Sequence, residues 1–165
     1  LNLGCGDNLL EGYINVDKYD KAADVQADIT KLPYEDNSID EIVAYQVIEH
    51  VPYNQNDKMF QEFYRVLKPG GTCILETPDI DVVARKILEE GITDQWRHNL
   101  VGEYHRPWDK DRYKDWEHHA GSIHRNPFNF ALIEKYAKGA GFVVVTRREP
   151  DFYPCEENLS VGLIK

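Results

Sequence analysis

Apolar residues along the chain fall into short runs, and most runs in its first half end at a glycine or an acid. Residues 1–3 are apolar at Leu1 and Leu3 and stop at Gly4-Cys5-Gly6, the pattern of a short buried strand followed by a glycine turn. Residues 13–16 form a second run ending at Asp17, and residues 24–27 a third ending at Asp28. Residues 39–45 carry a longer β-branched run, which predicts a buried strand. The period then changes. Over residues 57–68, Met59, Phe63, Val66 and Leu67 recur at helical spacing with Phe60 and Tyr64 beside them. Lys68 is expected in the last turn of that helix, with Pro69-Gly70-Gly71 ending it. Residues 72–76 predict a strand, and residues 81–90 a second amphipathic helix with Gly91 behind it. Asn129 is placed to cap a helix over residues 130–138, closed near Gly139 or Gly141. Residues 142–148 and 159–164 predict the last two strands. Residues 92–127 show no clear period, yet hold all three tryptophans and five of the six histidines.

Strands alternating with helices imply an α/β fold with a mostly parallel sheet. In such sheets, ligands bind outside the carboxyl ends of the strands, near the point where strand order reverses. Gly4-Cys5-Gly6, Asp17, Asp28 and Tyr45-Gln46 all fall at predicted strand carboxyl ends. The 165 residues suit one domain, without repeats or low-complexity segments. The formal net charge of −10, with basic residues scattered apart from Arg147-Arg148, argues against a nucleic-acid partner. No apolar run reaches the roughly 20 residues that span a bilayer. Cys5, Cys73 and Cys155 are an odd number without paired spacing, which reads as reduced thiols in a cytoplasmic protein. The chain opens without Met, directly on a core-type segment, so a preceding stretch is expected.

Taken singly, the motif residues have plain structural explanations. A lone Gly-x-Gly is a tight turn as readily as a ligand cradle. Asp17 is placed to accept from ribose hydroxyls and Asp28 from an adenine amino group, but either is equally a solvated turn acid. A nicotinamide-dependent oxidoreductase would want a third glycine and an acid about 20 residues on, whereas residues 5–9 offer no such glycine and Asp17 comes early.

The order of the motifs is more specific than any one of them. Leu1-Asn2-Leu3-Gly4-Cys5-Gly6 resembles the first motif of class I S-adenosylmethionine-dependent methyltransferases. Residues 27–34 and then Asp36-Asn37-Ser38-Ile39-Asp40 are similar to that family's stretch around the adenine pocket and into its fourth strand. Gln46-Val47-Ile48-Glu49-His50-Val51, residues 63–71 and Ala140-Gly141-Phe142 resemble three later segments in the right order. The resemblance covers nearly the whole chain except residues 80–126. It is nearest to a pared-down subfamily with this opening, some members of which are thought to act near glycan pathways. It implies a Rossmann-like fold with an antiparallel last strand, a single domain over residues 1–165, and S-adenosylmethionine as cofactor with S-adenosylhomocysteine as product. The acceptor it implies is a small molecule or a glycan. Gly4, Cys5 and Gly6 would face the methionine part of the cofactor, Asp17 the ribose with Lys18 beside it, and Asp28 and Ile29 the adenine. Gln46, counted with the cofactor-binding residues, would lie where the fourth strand opens towards cofactor and substrate.

Two departures stand out. Asn8 occupies a position where the family usually has glycine, and Asn tolerates positive φ better than most residues. The connections from Gly6 to Tyr13 and from Lys18 to Ala23 are too short for the usual helices, although parallel neighbours normally need a dozen or more linking residues. Bare loops or an unusual pairing of the second and third strands are the alternatives. The short crossover is also the best support for a rival reading, a non-catalytic binding or scaffold module with a degenerate cofactor site. Methyl transfer from a sulfonium needs a protein base only if the acceptor must lose a proton. Glu49 and His50 are the candidates, and structural capping is their alternative. An aromatic, histidine-rich insertion or lid is expected over about residues 80–126, with Trp96, Tyr104, Trp108, Tyr113 and Trp116 facing an acceptor or forming a small core of their own. His105, His118, His119 and His124 raise the question of a metal, but His118-His119 lacks the i, i+4 spacing that puts two ligands on one helix face, and no metal site is expected. No Asp/Asn-Pro-Pro-aromatic motif follows the fourth strand, and Pro154-Cys155 lies too late for a cytosine nucleophile. Nothing in the sequence fixes the oligomeric state.

Overall fold

The computed structural model describes residues 1–101, 123–152 and 154–165. The elements are β1 (Asn2–Leu3), β2 (Asn15–Asp17), β3 (Val25–Gln26), β4 (Ile39–Tyr45), α1 (Asn56–Val66), β5 (Leu67–Pro78), α2 (Ile80–Glu90), α3 (Asp94–Val101), α4 (Phe130–Ala140), β6 (Val144–Arg148) and β7 (Asn158–Ile164). The strands form one sheet in the order β3-β2-β1-β4-β5-β7-β6. Pairings from β3 through β5 are parallel, and β7 runs antiparallel between β5 and β6. This is the expected doubly wound α/β sheet with an antiparallel last strand. The order reverses between β1 and β4, so a crevice forms where the chain leaves those two strands in opposite directions.

The elements form where pattern and caps agree. Asn129 caps α4, its side chain accepting from Leu132 N–H, and Gly141 closes it in a left-handed conformation. Asp79 caps α2 by accepting from Asp81 N–H. α1 turns Met59, Phe60, Phe63 and Val66 onto the sheet, where all four are fully buried with Ile42, Leu75, Phe128 and Ile133. Burial of each large side chain contributes about 1.5–3 kcal/mol.

Three expectations need correction. α1 ends at Val66 rather than Lys68, and β5 begins at Leu67 rather than residue 72. Leu67 is extended, pairs with Ile39 and is fully buried, so strand pairing overrides the helical period. Residues 68–71 then bulge between the Ile39–Leu67 and Glu41–Thr72 pairs, helped by Gly70 at φ 80°. α3 arises where no period was evident. Thr93 starts it, its hydroxyl accepting from Trp96 N–H, and Trp96 is buried with its indole N–H on Glu90 at 3.2 Å. Asn8 is not among the residues with positive φ, so the turn does not call on its tolerance for that region.

The short crossovers are bare loops between parallel strands. Side-chain amides do the work that helical hydrogen bonds would otherwise do. Asn15, 6% exposed, accepts at Oδ1 from Asn2 Nδ2 (2.9 Å) and Leu10 N–H (2.8 Å). Its amide donates to Asp24, which also accepts from Asn15 N–H at 2.8 Å. Asn2 Nδ2 donates further to the Asn8 carbonyl at 2.9 Å. One buried asparagine pair thus ties the loop after β1 and the loop after β2 to adjacent strands. Leu9 and Ile14 are left exposed on this side. No helix among the described residues is long and apolar enough to cross a membrane.

Candidate functional site

Gly4 leaves β1 at φ 65° and Gly6 follows at φ 50°. A side chain at Gly4 would meet Val47 Cγ2 at 2.1 Å, so glycine is what lets the loop after β1 touch the segment after β4. The Gly6 N–H donates to Asp17 Oδ2 at 3.0 Å. Asp17 Oδ1 accepts from the N–H groups of Tyr19 and Asp20, at 2.7 and 2.9 Å. The carboxylate at the end of β2 therefore fixes the glycine turn and its own following loop together, and Oδ2 carries one bond against the two on Oδ1. Cys5 lies buried beneath the turn, and its thiol is pushed up to about 11 by burial and then by Asp17. It stays protonated and is no nucleophile at neutral pH.

Asp28 follows β3. Its Oδ1 accepts from Thr30 N–H and Oγ1, at 2.9 and 2.8 Å, and its Oδ2 from Lys18 Nζ at 2.9 Å. Burial would raise its proton affinity, but the Thr30 and Lys18 bonds outweigh that and hold it below the usual carboxylate value. Lys18 thus reaches across to Asp28 in a half-exposed ion pair. Ile29 is buried beside it.

Gln46 ends β4 with a left-handed backbone at φ 53°, a conformation that costs a non-glycine residue roughly 1–2 kcal/mol. The Gln46 N–H donates to Glu76 O at 2.8 Å and its side-chain amide to Asn158 at 3.2 Å. The buried Glu76 carboxylate accepts from the N–H groups of Asp151 and Phe152, and Phe152 stacks on Tyr45 with ring centroids 4.9 Å apart. The mouth of β4 is therefore bounded by Asp151, Phe152 and Asn158, which no sequence motif indicated.

Past Gln46, a short 3-10 turn over Ile48–His50 carries Glu49 and His50. Glu49 is fully buried. Its Oε2 accepts from Thr77 Oγ1 at 3.1 Å, while Oε1 has no hydrogen-bond partner among the described residues and faces His124 Nε2 at 4.0 Å. Burial pushes its carboxyl up to about 7, against the opposing pull of His124. His50 is lowered by burial, and its ring packs edge-on against His124 at 4.9 Å.

The expected residues thus converge at one edge, with Gly4, Cys5, Gly6, Asp17, Lys18, Asp28, Ile29 and Gln46 around the carboxyl ends of β1 to β4, and Glu49 and His50 one turn beyond. Of the four histidines weighed as a cluster, His124 joins them. His105, His118 and His119, and the lid residues Tyr104, Trp108, Tyr113 and Trp116, lie outside the described residues. Thr77 and the Gln46–Asn158 bond join strands far apart in sequence, and no local pattern announces them.

Residues 4–75 match the model of a methyltransferase domain. A sterol 4-C-methyltransferase of Caenorhabditis elegans is 36% identical over 75 residues, 43% of this chain and 22% of that protein. The ubiquinone/menaquinone biosynthesis C-methyltransferase UbiE of Brucella canis is 36% identical over 78 residues, 47% of this chain and 27% of that protein. The chain spans about a quarter of the length of these curated relatives. Among solved structures, a SAM-dependent methyltransferase of Thermotoga maritima, described as a possible histamine N-methyltransferase, aligns with a TM-score of 0.62 at 16% identity, covering 99% of this chain and 80% of that one. A SAM-dependent methyltransferase of Archaeoglobus fulgidus gives 0.62 at 13% identity, covering 99% and 84%. At these identities the structures establish the fold.

Proposed function

We propose that the chain is a class I S-adenosylmethionine-dependent methyltransferase and transfers a methyl group from S-adenosylmethionine to a small-molecule acceptor, a reading supported by the methyltransferase-domain match over residues 4–75. The observation that carries the proposal is the Gly4–Gly6 turn bonded through the Gly6 N–H to Asp17 where the strand order reverses. Only close backbone approach and a carboxylate acceptor are needed there, and both are built in. Gly4, Cys5 and Gly6 would border the methionine part of the cofactor. Asp17 Oδ2 would accept from a ribose hydroxyl. Asp28 would accept from the adenine amino group, sharing Oδ2 with Lys18, with Ile29 against the ring. When bound, the cofactor supplies an activated methyl group on sulfur, so the protein's task is to align the acceptor and exclude water.

In this reading Gln46 joins the cofactor residues where β4 opens towards cofactor and acceptor, and Glu49 and His50 lie on the acceptor side. A carboxyl held near 7 is suited to take a proton from a protic acceptor at neutral pH. A glycan is the finer form of the acceptor. The chain's charge of −10 supports an uncharged or cationic acceptor over a polyanion. The test is transfer of a tritiated methyl group to panels of small hydroxy and amino compounds and of oligosaccharides. Label in a small acceptor, abolished by Asp17→Ala, is expected. Cofactor binding without transfer to any acceptor would favour a binding module instead.

A further inference from the structure

We propose that Glu49, His50 and His124 form a binding site for a single divalent first-row cation, with Zn²⁺ the best match to the donor set. The ligand atoms of the three residues lie within 4.8 Å of one another. That spread is somewhat wider than a closed coordination shell and would contract by small side-chain rotations. Sequence spacing gave no reason to expect this site, because Glu49 and His50 are adjacent and His124 comes 74 residues after His50.

Three features go beyond mere proximity. First, both imidazoles are oriented as metal-bound histidines usually are, with the second ring nitrogen on a backbone carbonyl. His50 Nδ1 lies 3.3 Å from Ile123 O, and His124 Nδ1 lies 2.9 Å from Asn99 O. A carbonyl only accepts, so the ring nitrogen on it is the protonated one in each histidine, and the Gln46 carbonyl acts on the His50 ring as well. Second, Glu49 is buried with one oxygen satisfied by Thr77 and the other without a hydrogen-bond partner among the described residues. A buried carboxylate oxygen without a donor is unusual, and a cation supplies what is missing. Third, the residues are held by three separate backbone ties: the turn after β4, the Arg125 N–H on Glu49 O at 2.8 Å, and the His124 N–H on Val101 O at 3.0 Å. The cluster is therefore a preformed junction between the β4 turn, the end of α3 and the segment leading to α4.

The donor set selects the metal. Two imidazoles and one carboxylate suit Zn²⁺ and its neighbours, whereas Mg²⁺ and Ca²⁺ want oxygen ligands. Arg125 acts electrostatically on His50 as a like charge, which further disfavours ions held by charge alone. Three protein ligands leave a coordination position open, the arrangement of catalytic rather than structural zinc sites. Glu49 and His50 follow Gln46 within one turn, so in the methyltransferase reading that position would face the acceptor. There the cation would hold an acceptor oxygen and ease loss of its proton, with Glu49 its ligand in place of the base role it has without the cation. This role rests on the methyltransferase reading, whereas the site itself does not.

The experiment uses the full chain, stripped with a chelator, dialysed, and titrated with Co²⁺ as a spectroscopic stand-in for Zn²⁺. One equivalent is expected to produce visible ligand-field bands that Zn²⁺ then abolishes by displacement. Glu49→Gln and His124→Asn, each checked for native circular dichroism, are expected to lose those bands. On wild-type protein loaded with Zn²⁺, X-ray absorption is expected to show imidazole scattering and no sulfur, which keeps the test valid should either variant fail to fold. Absence of binding to folded wild type, a sulfur-containing shell, or bands retained in both folded variants would overturn the site. S-adenosylhomocysteine titration of the same stripped protein separates the two readings. Its failure would remove the methyl-transfer role and leave the cation site standing, and its success without metal binding would do the reverse.

Discussion

Asn15→Ala removes the side chain that replaces two missing crossover helices. In the wild type its Oδ1 accepts hydrogen bonds from the buried Asn2 amide and from Leu10 N–H. After truncation, one N–H of Asn2, a residue 2% exposed, is left without an acceptor, and Leu10 N–H loses its acceptor in a partly buried loop. An orphaned buried donor costs about 1–3 kcal/mol, so the two together with the lost Asp24 bond come to about 3 kcal/mol. With a urea dependence of about 2 kcal/mol per molar, the unfolding midpoint should fall by about 1.5 M at unchanged slope. Urea unfolding followed by circular dichroism measures this directly. The control is Asn8→Ala, since Asn8 enters the network through its backbone carbonyl, and it should stay within about 0.5 kcal/mol of wild type. A midpoint shift below about 0.3 M for Asn15→Ala would refute the argument that side-chain amides hold the bare crossovers.

Other perturbations follow from the same geometry. Gly4→Ala combines a positive φ with a methyl group 2.1 Å from Val47 Cγ2, so a loss of at least about 2 kcal/mol is expected by thermal unfolding. Adding Val47→Ala should recover only part, because Val47 Cβ itself lies 2.5 Å away. Glu62 accepts from Leu32 N–H and from Arg65; burial opposes its ionisation, but these bonds outweigh it and hold its carboxyl below the ordinary value. A lowered carboxylate stabilises the fold above its unfolded value of about 4.3, and that stabilisation fades as pH falls through the folded value. Glu62→Gln should therefore be less stable than wild type at pH 7, with a gap that narrows below pH about 4 in urea unfolding; a gap independent of pH would contradict this.

The sheet was legible because its punctuation is chemical. Each of the first three strands is two or three residues long, too short for periodicity, yet each is followed by glycine or aspartate at the crevice. The Asn129 cap and the Gly141 stop were equally plain, since both act within their own helix. What escaped was non-local. Leu67 belongs to a helical period but pairs with Ile39, and only the paired strand reveals this. The Asn2–Asn15–Asp24 network gives no local signal, because its members are 13 and 9 residues apart in sequence. The candidate cofactor residues could be named singly, but their bonds to one another could not: Lys18 on Asp28, and Gly6 on Asp17. Glu49 and His50 were visible as a pair, whereas the partner that gives them a geometry, His124, comes from the far side of a segment without period.

The central claim is that the Gly4–Gly6 turn and Asp17 form a cofactor site. Isothermal titration with S-adenosylhomocysteine, on wild type and on Asp17→Ala of verified fold, tests it most directly. Micromolar binding by wild type, about −8 kcal/mol, is expected, with a weakening of at least tenfold in the variant. Absence of heat from correctly folded wild type, or equal affinity in the two proteins, would contradict it.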